Sequence, residues 1–312
     1  MNRARYPDDT GYVERDGVRV FWERYGDGQP TVLFLPTWTI AHSRVWKAQV
    51  GYFARHFRVL TIDPRGNGRS DRPVNPGAYN EDEFAADALA VLDATASEKA
   101  VIVALSIGAQ RGLLLAADHP ERVLAAAFIA PFFPVSPLRG LRWRVMASPR
   151  LRRAFVTRPP VAAGWLKFNA SHWRSDYDDF VGWYLHRISN TPHSTKQIED
   201  AIEWAHETDP ETLIAAATAD LAAPPTRRDQ TALARRVRCP VLVISSPNDK
   251  VTAPADAKAL AKAAGGRLLM IPDGGHNPQS RKPVAVNLAL RAFAEHAFTG
   301  DSRALRAADT AR

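Results

Sequence analysis

Seven short β-rich runs recur along the chain, at Val18–Tyr25, Thr31–Leu35, Arg58–Ile62, Ala100–Ala104, Leu124–Ile129, Pro240–Ser245 and Arg267–Ile271. Several are continuous apolar runs, the pattern of strands buried on both faces of a parallel sheet. Helix-period segments lie between them, at Glu81–Ala96, Ile107–His119, Ala253–Ala264 and Val284–Ala297. The alternation predicts an open, mostly parallel α/β sheet flanked by helices. From Phe133 to Val237 the rhythm breaks: no run reads as a strand, and aromatic and charged segments are punctuated by Pro159-Pro160 and Pro224-Pro225. That interval predicts a helical insertion before the penultimate strand. The expected organisation is a core over residues 12–132 and 238–298, a helical lid or cap over 133–237, and a small, polar tail over 299–312 that frays.

Composition narrows the class without changing that picture. A length of 312 residues suits one large domain carrying an insertion, and 46% apolar with 24% charged residues is ordinary for a globular protein. The formal charge of +8 raises a nucleic-acid or anionic-membrane reading, but the basic residues are scattered. Their densest stretch, Arg139–Arg153, reads as a solvated or snorkelling helix face with no nucleic-acid-binding motif beside it. No nucleic-acid partner is expected. Met1–Thr10 is polar and charged, so no signal peptide is expected, and no window approaches the ~18 to 20 apolar residues of a membrane span. The single cysteine, Cys239, excludes an intramolecular disulfide and fits a reducing cytoplasm, the expected location. Nothing in the composition argues against a homo-oligomer.

The chemistry is concentrated at "VIVALSIGAQRG", residues 101–112, where an apolar run meets Ser106 and then opens into a helix. A nucleophile at such a strand-to-helix turn adopts a strained backbone, so the residues two before and two after it must be small. Ala104 and Gly108 meet that need, giving a small-x-Ser-x-Gly variant of the nucleophile elbow. The hydroxyl then stands at the carboxyl end of the sheet, where open α/β sheets place ligands, facing the free amides of the following helix. A serine needs a base and an orienting acid. Asp249 follows the strand Pro240–Ser245, and His276 sits in the glycine-flanked loop "MIPDGGHNPQ" after the next strand. The loop after Ile129, "APFFPVS", carries no carboxylate. Taken singly, Ser106 reads as a helix N-cap, Asp249 as a turn residue and His276 as a loop histidine; together their positions and order point to a catalytic triad.

With those residues in view, the chain resembles α/β-hydrolase-fold serine hydrolases that bear a helical lid, most strongly in "LTIDPRGNGRSDRP", "VIVALSIGAQ", "PVLVISSPNDKV" and "IPDGGHNP". "PTWTIAHSRVWKAQV" and "PHSTKQIEDAIEWAHETDPETL" also resemble bacterial hydrolase domains sometimes joined to nucleotide-cyclase modules; the chain contains no such module. The resemblance implies an oxyanion hole built from the backbone amides of Ile107 and Trp38. It also marks a departure, because the usual His-Gly pair is replaced by Pro36-Thr37, so threonine must meet a conformation that glycine permits in relatives.

Other residues carry plainer expectations. "DPRGNGRSD" lacks the third glycine and the immediate helix of a dinucleotide loop and reads as a structural turn, with Ser70 a turn or capping group. Cys239 reads as a small buried apolar residue and His119 as a helix C-terminal group. His172 and Asp176, one helical turn apart, have no second pair to complete a metal site; a surface or lid contact is expected, with no metal and no cofactor. Eight aromatics between Trp165 and Trp204 predict an apolar wall over the serine, most of them packing the insertion itself. Trp38, Trp173 and Trp183 are the candidate substrate contacts.

The expected activity is hydrolysis of a carboxylic ester or related acyl bond in a small molecule with an apolar or aromatic portion. Lactone, thioester or carbon–carbon bond hydrolysis and acyl transfer use the same triad, and a ligand-binding sensor that retains it is a further alternative.

Overall fold

The computed structural model describes residues 5–135, 149–189, 195–222 and 227–301. Its eight strands are β1 (Asp9–Arg15), β2 (Val18–Tyr25), β3 (Thr31–Leu35), β4 (Arg58–Ile62), β5 (Ala100–Leu105), β6 (Val123–Ile129), β7 (Val241–Ser245) and β8 (Arg267–Met270). They form one sheet in the order β1-β2-β4-β3-β5-β6-β7-β8. β1, β2 and β4 pair antiparallel, and every pairing from β4 through β8 is parallel. The seven apolar runs are all strands, within a residue or so at each end. The hydrophobic pattern does not predict β1, because it is an edge strand with only Val13 buried. Its real signal is the Asp16-Gly17 pair, whose positive φ values of 51° and 74° suit the tight turn into β2.

The continuous apolar runs have the reason anticipated: alternate side chains enter two different cores. Ala100, Ile102 and Ala104 of β5 pack with α2 (Glu81–Ala94) and α3 (Gly108–Asp118) on one face. Val101, Val103 and Leu105 pack on the other face with α1 (Lys47–Phe53) and the C-terminal helix (Pro283–Thr299).

Between β6 and β7 the described residues form no strand. They build the short helices α4 (Pro149–Val156), α5 (Ala170–Ser175) and α6 (Tyr177–Ile188), then α7 (Lys196–Ala205), α8 (Pro210–Ala222) and α9 (Arg227–Arg236). A separate aromatic core holds α4 to α8 together through Phe155, Trp173, Phe180, Leu185 and Leu213. Polar ties then fix this insertion to the sheet domain: the Asp200 carboxylate pairs with Lys47 of α1, and the Thr208 hydroxyl donates to the Gly66 carbonyl at 2.6 Å. Most of Arg139–Arg153, the Pro224-Pro225 pair and the tail beyond residue 301 lie outside the described residues.

Candidate active site

The parallel register brings three strand ends level. Leu105 of β5 pairs with Ile129 of β6, Ile129 with Ile244 of β7, and Ser245 with Met270 of β8, so the loops after β5, β7 and β8 open on one edge. Ser106 occupies the first of these loops at φ 54°, the left-handed region a side chain rarely adopts. The conformation is held from both sides. Its N–H donates to the Ile129 carbonyl at 2.9 Å, and its carbonyl accepts from the N–H groups of Phe132 at 2.9 Å and Ala109 at 3.1 Å. The small neighbours have measurable reasons: a Cβ at Gly108 would lie 2.3 Å from the Pro36 carbonyl oxygen, and one at Gly112 2.9 Å from the Phe128 ring and 3.3 Å from Ala104.

Asp249 follows β7 in a turn that organises its carboxylate. Oδ1 accepts from the N–H groups of Val251 at 2.7 Å and Thr252 at 3.0 Å, and Oδ2 accepts from the Thr252 hydroxyl at 2.7 Å. His276 reaches the same Oδ2 through Nδ1 at 3.1 Å, while its Nε2 stands 3.0 Å from Ser106 Oγ. A carboxylate only accepts, so the imidazole proton sits on Nδ1 and leaves the Nε2 lone pair facing the serine hydroxyl. Burial opposes the charge on Asp249, but His276, Thr252 and the Val251 amide outweigh it and hold the carboxyl below its usual range.

Three positioning residues have no strong sequence signal. Ser246 Oγ donates to the Ile271 carbonyl at 2.6 Å and accepts from the Gly274 N–H at 3.0 Å, while Asn248 Oδ1 accepts from the Gly275 N–H at 3.0 Å. With Thr252, they tie the acid loop to the histidine loop. Only "SSPNDKVT" as a cluster of small polar residues hinted at such a network.

Residues 30–283 match the family described as alpha/beta hydrolase fold. The chain belongs to this family. Within it, the chain is 26% identical to 3-oxoadipate enol-lactonase 2 of Acinetobacter baylyi over 80% of this chain and 82% of that one. A shorter stretch is 37% identical to the rhodomycin D methylesterase of Streptomyces sp. strain C5, covering 37% of this chain and 40% of that protein. Among solved structures, Est816, described as an N-acyl homoserine lactone degrading enzyme, is 29% identical with a TM-score of 0.70, over 91% of this chain and all of that one.

The other candidates of this alpha/beta hydrolase are placed less uniformly. Ile107 stands at the start of α3 and Trp38 in the loop after β3, and neither backbone N–H has a protein acceptor among the described residues. The Trp38 ring is half-buried against Phe168, Trp173 and Tyr184, so it joins the β3 loop to the insertion. Trp173 is corrected: its side chain has no exposed surface, its indole N–H donates to the Lys167 carbonyl at 2.9 Å, and it packs the insertion's interior. Of its polar neighbours, His172 is itself buried and Arg174 pairs with Glu211. Trp183 meets Trp165 edge-on at 5.2 Å and lines an open hollow with Lys167, Asp179 and His186.

His172 bonds Asp179 through Nε2 at 2.9 Å rather than Asp176, whose carboxylate instead caps α6. Among the described residues no group of three or more His, Cys, Asp or Glu side chains is placed to hold a metal ion. Ser70 is a buried turn group, accepting from the Phe21 N–H and donating to the Asp63 carbonyl. His119 is the C-cap of α3. Cys239 packs against the core, where burial pushes its thiol up to about 11. No helix among the described residues is long and apolar enough to cross a membrane.

Proposed function

We propose that this alpha/beta hydrolase is a serine hydrolase that cleaves a carboxylic ester or a closely related acyl bond, with Ser106 as nucleophile, His276 as base and Asp249 as its orienting acid. The observation that carries the reading is the continuous chain Ser106 Oγ–His276–Asp249, with contacts of 3.0 and 3.1 Å at the carboxyl edge of the sheet. As Ser106 Oγ bonds to the carbonyl carbon, its proton passes to His276 Nε2 and the carbonyl oxygen takes up the negative charge. The amides of Ile107 and Trp38 receive that charge, a stabilisation of roughly 3 to 4 kcal/mol per donor in comparable sites. The bond to the leaving alcohol breaks as His276 returns the proton to its oxygen. Water then attacks the acyl-enzyme, giving a proton to His276 that Ser106 recovers as the acid departs. Throughout, Asp249 keeps Nδ1 protonated and balances the imidazolium.

The aromatic surface around Trp38 supports an apolar or aromatic portion in the substrate. A lactone is the second reading, favoured because two relatives similar over most of the chain are described as acting on lactones. Opening an internal ester uses the same steps, except that the alcohol stays attached to the acyl group. The test is a screen of aryl and alkyl esters of graded chain length beside lactones, with Ser106→Ala as the blank. Ser106-dependent turnover is expected, reduced by about three or more decades in the variant. Equal turnover by Ser106→Ala would overturn the reading.

A further inference from the structure

The proposed oxyanion hole needs the Trp38 N–H aimed at the reacting carbonyl; Thr37 adopts no positive φ, so the glycine conformation expected from relatives is not required here and backbone strain does not set the peptide. Another group must fix that peptide. Arg111, in the first turn of α3, is 2% exposed and reaches back beneath the loop. Its Nη1 donates to the carbonyl oxygens of Thr37 at 3.0 Å and Pro36 at 3.3 Å. Its Nε and Nη2 grip the Glu81 carboxylate at 2.8 and 3.4 Å, and its guanidinium lies 3.7 Å over the Phe84 ring. Glu81 and Phe84 belong to α2, so the arginine is clamped by one element while it holds another.

The Thr37–Trp38 peptide is trans, and in a trans peptide the carbonyl of one residue and the N–H of the next point in opposite directions. A Thr37 carbonyl turned toward Arg111 therefore turns the Trp38 N–H away from it. The loop is seated on the same end of α3 that follows Ser106, since the Pro36 carbonyl abuts Gly108 closely enough to forbid a Cβ there. The carbonyls thus face Arg111, and the Trp38 N–H faces the other side with no protein acceptor among the described residues. We propose that Arg111 is a positioning residue that sets the Thr37–Trp38 peptide and so presents the Trp38 N–H to the oxyanion. This rests on the serine-hydrolase reading above.

The test compares Arg111→Met, which removes the donors and keeps an apolar stem, with Arg111→Lys, which keeps charge but loses the fork. Active sites are titrated to completion with a fluorophosphonate, so any loss of folded protein drops out. In Arg111→Met, kcat per titrated site for an aryl ester is expected to fall by about 10- to 100-fold, less than the ~10² to 10³ of a missing donor, with KM within about threefold. Affinity for an aryl boronic acid, which forms a tetrahedral anion on the serine, should fall by a similar factor, and Arg111→Lys should lie between. Glu81→Gln, which loosens the clamp and keeps the arginine, should show the same split more weakly and carries the test if Arg111→Met does not fold. The proposal is overturned if kcat per site and boronic-acid affinity stay within about twofold of the parent in Arg111→Met, or in both Arg111→Lys and Glu81→Gln. Failure of the serine-hydrolase reading looks different: turnover is then absent in the parent or undiminished in Ser106→Ala, which overturns both.

Discussion

Asp273 stands three residues before His276 in sequence and Asp249 twenty-seven, yet it is the distant carboxylate that meets the imidazole. Asp249 has no exposed side-chain surface and receives two backbone amides, a hydroxyl and the imidazole, whereas Asp273 is exposed on the turn before His276 at φ 54°. A carboxylate that orients a base must be fixed itself, because a mobile acid gives the imidazole no preferred tautomer. Asp249→Asn is therefore expected to lower kcat by about three or more decades, and Asp273→Asn to leave it within about twofold. Steady-state kinetics on one ester decide between them; the reverse ranking would transfer the role to Asp273. Sequence legibility at this scale was uneven: the order of serine, acid and histidine was readable, but the partners that fix Asp249 were not. Thr252 and Ser246 are ordinary polar residues until the fold turns their hydroxyls inward.

At the scale of elements, the insertion meets the sheet domain through a charge cluster in which His42 and Asp63 are buried and Glu207 is exposed. His42 Nδ1 lies 3.3 Å from the Asp63 carboxylate and Nε2 3.4 Å from that of Glu207, contacts of charge rather than well-aligned hydrogen bonds, with the Trp204 ring beside them. Asp63 follows β4, while Glu207 joins α7 to α8. Burial alone would lower the imidazole's pKa, but Asp63 and Glu207 reverse this and push it up to about 9. Burial likewise opposes the charge on Asp63, yet His42 and the neighbouring amides hold that carboxyl below its usual range; His42 chiefly does the same for Glu207. A raised imidazole pKa adds stability that is complete below its unfolded value, near 6.5, and is lost as pH rises through about 9. The lowered carboxyls act oppositely, adding stability above their unfolded values that is lost in acid. The melting temperature is therefore expected to decline between about pH 6.5 and 9, and His42→Asn to flatten that interval. Parallel slopes in the two proteins would show that the cluster does not couple to folding.

For the whole molecule, the sheet edge that carries Ser106, Asp249 and His276 adjoins an insertion whose aromatic core sits against the β3 loop. Trp38 is the half-buried ring at that junction, and Trp173 is the fully buried one behind it. The two truncations should separate. Trp38→Ala is expected to change selectivity between short and long acyl chains by roughly 1 to 3 kcal/mol. Trp173→Ala, which empties a packed interior, is expected to cost about 3 to 5 kcal/mol of stability with a smaller change in selectivity. Chain-length profiles and denaturant unfolding of both variants check this, and an unchanged profile in Trp38→Ala would remove the junction from substrate choice.

The sequence alone determined the sheet and the elbow, because both rest on local rules. Strands buried on two faces must be apolar throughout, and a strained serine tolerates only small residues two positions away; "VIVALSIG" satisfies both without reference to anything distant. β1 escaped because an edge strand with one buried side chain leaves almost no hydrophobic signature. Tertiary structure decided everything that depends on direction. Arg111 reads as an ordinary charge on a helix until the fold lays Pro36, Thr37 and Glu81 around its guanidinium, His172 finds Asp179 rather than Asp176, and Trp173 turns inward between polar neighbours. Spacing along a chain fixes which residues share an element, whereas the partner a side chain meets is set by elements far away in sequence packing against it.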